Sequence, residues 1–409
     1  MRFYYLDPGL KSNAGHHAST CRVVTGELRR RGIETLIAAS TQLTPELATE
    51  LGASPFFAVY TYTPQHPDPI AGWLKTFLEG VAMTTQDLAR LPAPMADDVV
   101  FVNSAQPTQL MAVMTWLNGI AAESRPRVVV EFGTDAGVNL TRTEAGYTLE
   151  AVDPRENPRS VLLRHVGQNI PPEFRRNLFL KTFDAGASKI HQLLLDYEIG
   201  VLPLPQQTYG LARKKAQGSI TIGVLGRQDF DKGYQLLPEI LPALLARHAE
   251  INILVHNANP DDMPPVQQKL REIAQSDARI TLDEGPANST HWQGLLAQSD
   301  VILCPYRSER YLACYSALAV EALANGIPIV APEGTVPHWF VAGHKGAIVP
   351  FGTFTAPQIV DATSSAIAQY ERLAVAARAA AEAWNSQDRK AQLVDSILGT
   401  LPIQVAAAR

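Results

Sequence analysis

The sequence has little cysteine and lacks long apolar runs. Its three cysteines, Cys21, Cys304 and Cys314, are odd in number and far apart among 409 residues. This spacing fits neither a zinc site nor a disulfide framework and favours a reducing compartment. No stretch approaches the ~18 to 20 consecutive apolar residues of a membrane-spanning helix, and the opening MRFYYLDPGL lacks the apolar core of a signal peptide. We therefore expect a cytoplasmic protein without a transmembrane segment.

The sequence also lacks a large excess of either sign of charge. The chain carries 35 Lys and Arg residues against 40 Asp and Glu residues, a net charge of −5. This mildly acidic balance creates no field that would attract nucleic acid or anionic lipid to the whole protein. We expect no nucleic acid partner, and any bound anion must be held by a few basic residues placed locally.

Short β-branched runs alternate with amphipathic segments along the chain, which is typical of parallel sheets with crossover helices. In the first half, a helix is predicted over 16–31, and the predicted strands are RFYYL, ETLIAA, FFAVY, DVVFVNS and RVVVEF. In the second half, the predicted strands are SITIGVL, INILVH, ARITLDE, DVILCPY, IPIVAP and GAIVPF. The segment 201–218, VLPLPQQTYGLARKKAQG, breaks the alternation and predicts a linker.

This pattern predicts an α/β protein with two Rossmann-like, doubly wound parallel-sheet domains that face a central cleft. The predicted parts are an N-terminal domain over 1–205, a linker over 206–218, a C-terminal domain over 219–380 and a helical segment over 381–409 that can pack back on the first domain. Ligands of such sheets bind beyond the carboxyl ends of the strands.

The segment GRQDFDKG, 226–233, follows the first predicted strand of the second domain. Arg227 and Lys232 lie five positions apart, bracketed by Gly226 and Gly233. A guanidinium holds phosphate oxygens in a fork, and an ammonium adds a point charge. The pair suits a diphosphate whose negative charge grows as a bond to it breaks. The alternative is a polar turn with solvated charges.

A second candidate group lies in YLACYSALAVEALANGIPIVAP, 311–332, where Glu321 is the only charged residue. A carboxylate among apolar neighbours needs hydrogen-bond donors, and the two adjacent hydroxyls of a ribose supply them. The alternative is a structural glutamate that caps a backbone or pairs with a lysine. Ser316 is placed to cap the following helix, whose free amides around Ala317 would point the helix dipole at a phosphate.

With these two segments, the second half resembles the donor-binding domain of GT-B glycosyltransferases, particularly the family-4 retaining enzymes. The pattern is a strand that ends in Gly-Arg, a lysine and glycine five residues later, and then Glu-x7-Glu continuing as Glu-Ala-x-Ala-x-Gly-x-Pro. The matching residues are Gly226, Arg227, Lys232 and Gly233 in the first part, and Glu321, Ala322, Ala324, Gly326 and Pro328 in the second. The resemblance covers about 218–350 well and the first half only in outline.

The resemblance implies a glycosyltransferase that moves a sugar from a nucleotide diphosphate sugar to an acceptor hydroxyl, with retention. Arg227 and Lys232 would be catalytic, stabilising the leaving diphosphate, and Glu321 would bind the ribose hydroxyls. Gly226, Ser316 and Ala317 would also contact the donor. No metal or other cofactor is implied, because the two cations neutralise the diphosphate. The DFD segment, 229–231, mimics the metal-binding Asp-x-Asp of the other glycosyltransferase fold, but that motif belongs to a single-domain architecture. The acceptor, a glycan, a lipid-linked molecule or a protein, stays open.

One position departs from the family pattern. Ala313 stands where the first glutamate of Glu-x7-Glu contacts the transferred sugar, and Glu309, one turn earlier, could replace it only if the loop is rebuilt. Two alternatives follow. The protein could be a non-catalytic nucleotide-sugar-binding or scaffolding protein of the same fold, or a sugar-nucleotide epimerase with its acid and base in the first domain.

The first half offers weaker candidates. In DPGLKSNAGHHAST, 7–20, the resemblance implies that Gly15 brings backbone amides to the donor phosphate and that His16 or its neighbour His17 donates to phosphate or acceptor. In VVVEFGTDAG, 128–137, Glu131 or Asp135 could orient an acceptor hydroxyl. The alternative for both segments is an ordinary loop. The basic stretch FRRNLFLKTF, 174–183, predicts a solvated helix or loop, with peripheral contact to a membrane or lipid-linked acceptor as the alternative.

Overall fold

The computed structural model describes residues 1–13, 16–62, 71–133, 136–143, 146–204 and 218–400. The chain divides into two compact units. Unit 1 comprises Met1–Pro205 and Arg389–Arg409, and unit 2 comprises Gln206–Asp388. Within the described ranges, no helix is both long enough and apolar enough to cross a membrane.

Unit 1 is built on a parallel sheet with helices between its strands. Its strands are β1 Arg2–Asp7, β2 Glu34–Ser40, β3 Ala53–Phe57, β4 Val99–Val102, β5 Arg127–Glu131, β6 Val138–Thr143, β7 Gly146–Ala151, β8 Leu178–Thr182 and β9 Ile199–Val201. Its helices are α1 His16–Arg30, α2 Pro45–Leu51, α3 Ala71–Ala89, α4 Pro107–Asn118, α5 Arg159–Gln168 and α6 Ala185–Leu195. Seven strands form the sheet in the order β3-β2-β1-β4-β5-β8-β9, and β6 and β7 form a separate antiparallel hairpin.

Unit 2 repeats this plan with one six-stranded parallel sheet. Its strands are β10 Ile220–Val224, β11 Ile251–Asn257, β12 Ile280–Glu284, β13 Val301–Leu303, β14 Ile329–Pro332 and β15 Ile348–Phe351. Its helices are α7 Leu237–Arg247, α8 Pro264–Ser276, α9 Ser289–Gln298, α10 Ser308–Tyr311, α11 Ala317–Ala324, α12 Val336–Gly343, α13 Ala356–Ala368 and α14 Tyr370–Asn385. The sheet order is β12-β11-β10-β13-β14-β15.

The strands follow from the apolar runs of the sequence. All four residues of β4 are buried, as are the last four of β5, because helices cover both faces of a parallel sheet. Helix α1 buries Cys21, Val24 and Leu28 at helical spacing and ends before Gly32, whose φ of +70° is left-handed.

In each sheet, the order in which successive strands are added reverses at one place. In unit 1 the strand order reverses between β1 and β4, and in unit 2 it reverses between β10 and β13. The loops that leave the carboxyl ends of two such strands diverge, which opens a crevice for ligands. We call these places the switch points of the two units.

Two predictions about the first half are wrong in position or type. The strand predicted at FFAVY lies earlier, at 53–57. The stretch FRRNLFLKTF is not a solvated helix or loop, because its second half is β8, which pairs with β5 and β9 and buries Leu178 and Leu180. Arg175 and Arg176 lie in a short 3₁₀ turn just before that strand, so charges that flank a buried strand gave the segment a basic character.

The end of the second domain is also placed differently. Helix α14 runs through the predicted boundary at 380/381 and packs on α11, so unit 2 ends at Asp388. The last helix, α15 Arg389–Leu398, packs on α1 of unit 1, where Arg31 Nη1 lies 2.5 Å from Asp395 Oδ1. Nearly all of the predicted linker lies outside the described residues.

Candidate functional site

The loop after β10 begins at Gly226, at the switch point of unit 2. Its φ of +111° is one that residues with a side chain rarely adopt. Its N–H donates to His256 Nδ1 across 3.2 Å, and His256 Nε2 donates to the Gly285 carbonyl across 3.0 Å. Burial lowers the pKa of His256. These two contacts fit the neutral imidazole, which anchors the start of the loop to the end of β11.

The two cations of the loop have different surroundings. Lys232 is half-buried, and its Nζ donates to the Arg227 carbonyl across 2.8 Å; burial lowers its pKa. Arg227 is exposed, and its Nε donates to Asp262 Oδ2 across 2.9 Å. A Cβ atom added to Gly226 would lie 3.8 Å from Lys232 Nζ. The ammonium therefore lies against the glycine backbone, where an anion can approach both the ammonium and the peptide.

Glu321 of α11 is half-buried and has an aromatic partner. Trp292 of α9 donates its indole N–H to Glu321 Oε2, with 2.8 Å between the heavy atoms. The far edge of the same indole, at Cη2, lies 3.9 Å from the Cβ position of Gly226. Lys232 and Trp292 therefore both lie next to Gly226, and Trp292 connects this glycine to Glu321.

The N-terminus of α11 completes this edge of unit 2. Ser316 is its N-cap, and its Oγ accepts a hydrogen bond from the Ala319 N–H across 3.3 Å. The hydroxyl of Tyr306, in the loop after β13, lies 3.3 Å from the same oxygen. The predicted N-cap is confirmed. The amide of Ala317 lies in the first turn, where free N–H groups and the helix dipole favour an anion.

A buried polar network connects the loop to β11 and α8. Gln228 donates to the His256 carbonyl across 3.1 Å, and Asn257 Oδ1 accepts from the Gln228 N–H across 3.3 Å. Asn257 Nδ2 in turn donates to Gln267 Oε1 across 2.8 Å. Because buried amides are costly unless they are paired, this network fixes the loop relative to β11 and α8.

The aspartates of the DFD segment are both engaged. Asp229 Oδ1 accepts from the Lys232 backbone N–H across 3.0 Å, which closes the turn. Asp231 lies 3.9 Å from Arg307 and 3.8 Å from Arg310. Asp229 therefore stabilises the turn, and Asp231 lies beside the arginines that follow β13.

Unit 1 places a second polar cluster at its own switch point. Asp7, the last residue of β1, is fully buried and lies 2.8 Å from His17 Nδ1 through its Oδ1. His17 Nε2 lies 2.9 Å from the hydroxyl of Tyr62. Asp7 also accepts from the Gly9 N–H and from Asn103 Nδ2, each across 2.9 Å.

Glu131, at the end of β5, lies in the same cluster and is fully buried. Its Oε2 accepts from the Ser104 N–H across 2.9 Å, and Ser104 Oγ lies 2.9 Å from His16 Nε2. Burial, with a smaller contribution from Asp7, raises the pKa of Glu131 to about 8. Burial and the neighbouring His17 lower the pKa of His16 to about 4.

Comparison with known proteins supports this description of the fold. Residues 219–369 match the family model described as glycosyl transferases group 1. HepE of Anabaena, in a structure with UDP and glucose, superposes with a TM-score of 0.65 at 14% identity, over 98% of this chain and 99% of that one. Sucrose-phosphate synthase of Thermosynechococcus elongatus gives a TM-score of 0.63 at 13% identity, over 98% and 97%. The chain has the GT-B glycosyltransferase fold.

A third GT-B structure is WaaG, a glycosyltransferase involved in lipopolysaccharide biosynthesis, with a TM-score of 0.56 at 14% identity over 97% of this chain and 98% of that one. No curated protein sequence matches the chain. The GT-B resemblance inferred from the sequence is thus confirmed for the fold. Membership of family 4 and retention stay predictions.

The structure brings most of the predicted GT-B donor residues to one edge of unit 2. Lys232 and Trp292 lie next to Gly226, and Trp292 is hydrogen-bonded to Glu321. The exposed Arg227 side chain instead contacts Asp262. In unit 1, His16 and Glu131 meet through Ser104. Gly15 and Asp135 lie outside the described residues.

Sequence reasoning missed several members of both clusters. Trp292 and His256 belong to the unit 2 edge, and Asp7, Asn103 and Tyr62 belong to the unit 1 cluster. A usable signal existed for two of them. Asp7 directly follows the predicted strand RFYYL, and Asn103 follows the apolar run VVFV inside the predicted strand DVVFVNS. Polar residues at the carboxyl end of a strand in a parallel sheet face the ligand edge.

Proposed function

We propose that this protein transfers a glycosyl group from a nucleotide diphosphate sugar to an acceptor hydroxyl, and that unit 2 binds the donor. One observation carries the proposal. The Cβ position of Gly226 lies 3.8 Å from Lys232 Nζ and 3.9 Å from Trp292 Cη2. Trp292 is in turn hydrogen-bonded to Glu321. A cation suited to phosphate, and an indole that holds a carboxylate suited to ribose, thus lie next to one glycine at a switch point, the kind of place where nucleotides bind in parallel α/β sheets.

The chemistry follows from the charges. Lys232, Arg227 and the amide groups around Ala317 would stabilise the diphosphate as it leaves, which is the largest charge change in the reaction. Arg227 would exchange its exposed contact with Asp262 for phosphate oxygens. Because exposed ion pairs contribute little, this exchange costs little.

We propose that the donor is a uridine diphosphate sugar, that transfer needs no divalent metal, and that it retains the anomeric configuration. The nucleotide is supported by the UDP and UDP-glucose complexes of HepE, and metal independence by the two cations of the loop. Retention is supported by the sequence resemblance.

The experiment is a donor panel with and without carbohydrate acceptors, in buffer containing either EDTA or magnesium. We expect UDP release that depends on acceptor and is equal in both buffers. NMR of the products distinguishes transfer from epimerisation of the donor and gives the anomeric configuration. A donor that binds without release of nucleotide or change of its sugar would instead support a binding protein.

Glu321→Gln tests the donor site directly, because glutamine keeps the shape and weakens the acceptor. UDP affinity should fall, whereas 2′,3′-dideoxy-UDP should bind the wild type and the variant alike. A lower melting temperature with no change in that comparison would assign Glu321 a structural role.

A further inference from the structure

Strand β8 of unit 1 carries a buried lysine without a counter-ion. Lys181 belongs to the basic stretch 174–183, which the proposed function does not use, and it is only 7% exposed. Its ammonium forms no hydrogen bond or ion pair with any residue that the structure describes. Burial, together with the charge of Arg127, lowers its pKa. Because a buried charge is costly unless it is paired, this ammonium lacks the partner that its position requires.

The Lys181 side chain lies across the edge strand of the sheet. Lys181 pairs with Gly200 of β9 in the strand register, and β9 is the last strand of the seven. A Cβ atom added to Gly200 would lie 2.2 Å from Lys181 Nζ. The missing side chain at residue 200 therefore makes the room that the ammonium occupies.

The same lysine lines a small cavity. Its volume is about 100 Å³, which is room for about three water molecules or one compact anion. The residues that line it include Lys181, Phe179, Tyr197, Arg175 and Glu198. The unpaired ammonium therefore borders a space that a small ligand can fill.

Positive charge predominates around this cavity. The Arg127 guanidinium lies 3.7 Å from the centroid of the Phe179 ring, and that of Arg175 lies 5.6 Å from the centroid of the Tyr197 ring. Neither arginine forms an ion pair within the part of the chain that the structure describes. Glu198, which is exposed, is the one acidic residue among the described residues of the lining. With three cations against one carboxylate, the charge balance favours an anion.

We propose that this cavity binds a phosphate group, either free or on a small monoester, with Lys181 as the buried point charge and Arg175 as the exposed guanidinium. An ammonium and a guanidinium are the side-chain groups that bind phosphate in proteins. The cavity is smaller than the roughly 300 Å³ of a pocket for larger organic ligands, so it suits the phosphate group itself.

This inference goes beyond the proposed function and does not rest on it. All the residues that line the cavity belong to unit 1, whereas the candidate donor residues Arg227, Lys232 and Glu321 belong to unit 2. Loss of phosphate binding in unit 1 and loss of donor binding in unit 2 can therefore be measured with separate variants.

The test is calorimetric titration with inorganic phosphate and with glycerol 3-phosphate, in the presence of UDP to occupy the candidate donor site. Lys181→Met replaces the ammonium with an apolar side chain, and Lys189→Met, at an exposed position of α6, is the matched control. We expect Lys181→Met to weaken phosphate binding by about tenfold or more, the loss of one charge-assisted contact. Lys189→Met should bind phosphate normally, and both variants should bind UDP normally.

The two probes distinguish the sources of the phosphate group. Tighter binding of glycerol 3-phosphate would assign a small monoester, and tighter binding of inorganic phosphate would assign the free ion. No binding of either probe to the wild type, or equal affinity in the wild type and Lys181→Met, would overturn the proposal.

Gly200→Ala provides a second variant that keeps every charge. The new Cβ atom would displace the Lys181 ammonium, so phosphate binding should again weaken, and normal binding by this variant would contradict the site. This variant decides the question if Lys181→Met does not fold.

Melting temperatures give an independent readout. Phosphate should raise the melting temperature of the wild type more than that of Lys181→Met, because a ligand stabilises only the protein that binds it. Since phosphate also stabilises folded proteins non-specifically, the difference between the two increases is the quantity to measure. Equal increases would show a salt effect alone and would overturn the proposal.

Discussion

Trp292 donates its indole N–H to Glu321 across 2.8 Å, joining α9 to α11 at the carboxyl edge of unit 2. The opposite edge of the indole lies 3.9 Å from the Cβ position of Gly226. A single rigid side chain therefore connects the candidate ribose-binding carboxylate with the candidate phosphate loop. In the proposed donor site, this hydrogen bond would hold the Glu321 carboxylate in place before a nucleotide binds and so lower the entropic cost of binding.

Trp292→Phe keeps an aromatic ring and removes the N–H. We expect UDP affinity to fall by about five- to tenfold, about 1 to 1.4 kcal/mol, the size of one typical hydrogen bond. UDP should also change the tryptophan fluorescence of the wild type, and Trp292→Phe should lose that change. Trp339→Phe, at an exposed position of α12, is the control. Equal UDP affinity and an unaltered fluorescence response in Trp292→Phe would count against the link.

The basic residues of the loop and the carboxylate that contacts Arg227 give opposite predictions when they are replaced, in three variants. Arg227→Ala or Lys232→Ala should weaken UDP binding by about 1.5 to 3 kcal/mol, the cost of one charge-assisted contact, and should affect uridine far less. Asp262→Asn should strengthen UDP binding slightly, because it removes the exposed carboxylate that competes with phosphate for Arg227. Calorimetric titration with UDP and uridine measures all three. An equal loss for both ligands would exclude a phosphate clamp.

Gly233 follows Lys232 and has a φ of +73°, and a Cβ atom added there would lie 1.8 Å from the Pro305 carbonyl oxygen. Gly233→Ala should therefore lower the free energy of unfolding by about 2 to 4 kcal/mol, from left-handed strain and forced displacement of the β13 loop. Gly294→Ala, in α9 with no heavy atom within 4 Å of its Cβ position, should be neutral or slightly stabilising. Denaturant titrations compare the two; similar stabilities would contradict the close approach.

The buried carboxyl of Glu131 predicts a pH dependence of stability. Its pKa rises from 4.5 to about 8 on folding, so in this window the native state binds more protons than the unfolded state. Stability contributed by the protonated group is fully present below pH 4.5 and is lost as pH rises through 8. The melting temperature of the wild type should therefore fall relative to that of Glu131→Gln between pH 5 and 8, and then level off.

Glu123→Gln, at an exposed position, is the control for this experiment and should show no such trend. The prediction is wrong if the difference in melting temperature between wild type and Glu131→Gln stays constant from pH 5 to 8. Glu131 would then be ionised in the native state throughout this pH range.

The sequence by itself determined the architecture and the unit 2 loop. Apolar runs of four to seven residues that alternate with helices are typical of buried strands, so most strands follow from the local sequence pattern. The division between the two units near residue 205 follows from the interruption of that pattern. Gly226, Lys232 and Ser316 were also predictable, because a cation between glycines after a strand and a serine before a helix act through local geometry. The error at 174–183 has the same origin: the charges of Arg175 and Arg176 concealed a short buried strand that only its pairing with β5 reveals.

The tertiary structure alone decided which distant residues meet. Trp292 and Glu321 are 29 positions apart, and Asp7 and Asn103 are 96 apart. Their contacts depend on strand order, which places the ends of β1 and β4, or of β10 and β13, side by side at a switch point. Nothing local in the sequence fixes that order, because it is set by how helices and sheets bury their apolar faces against one another. The raised pKa of Glu131 and the lowered pKa of His16 follow from the same burial and could not be read from residue type.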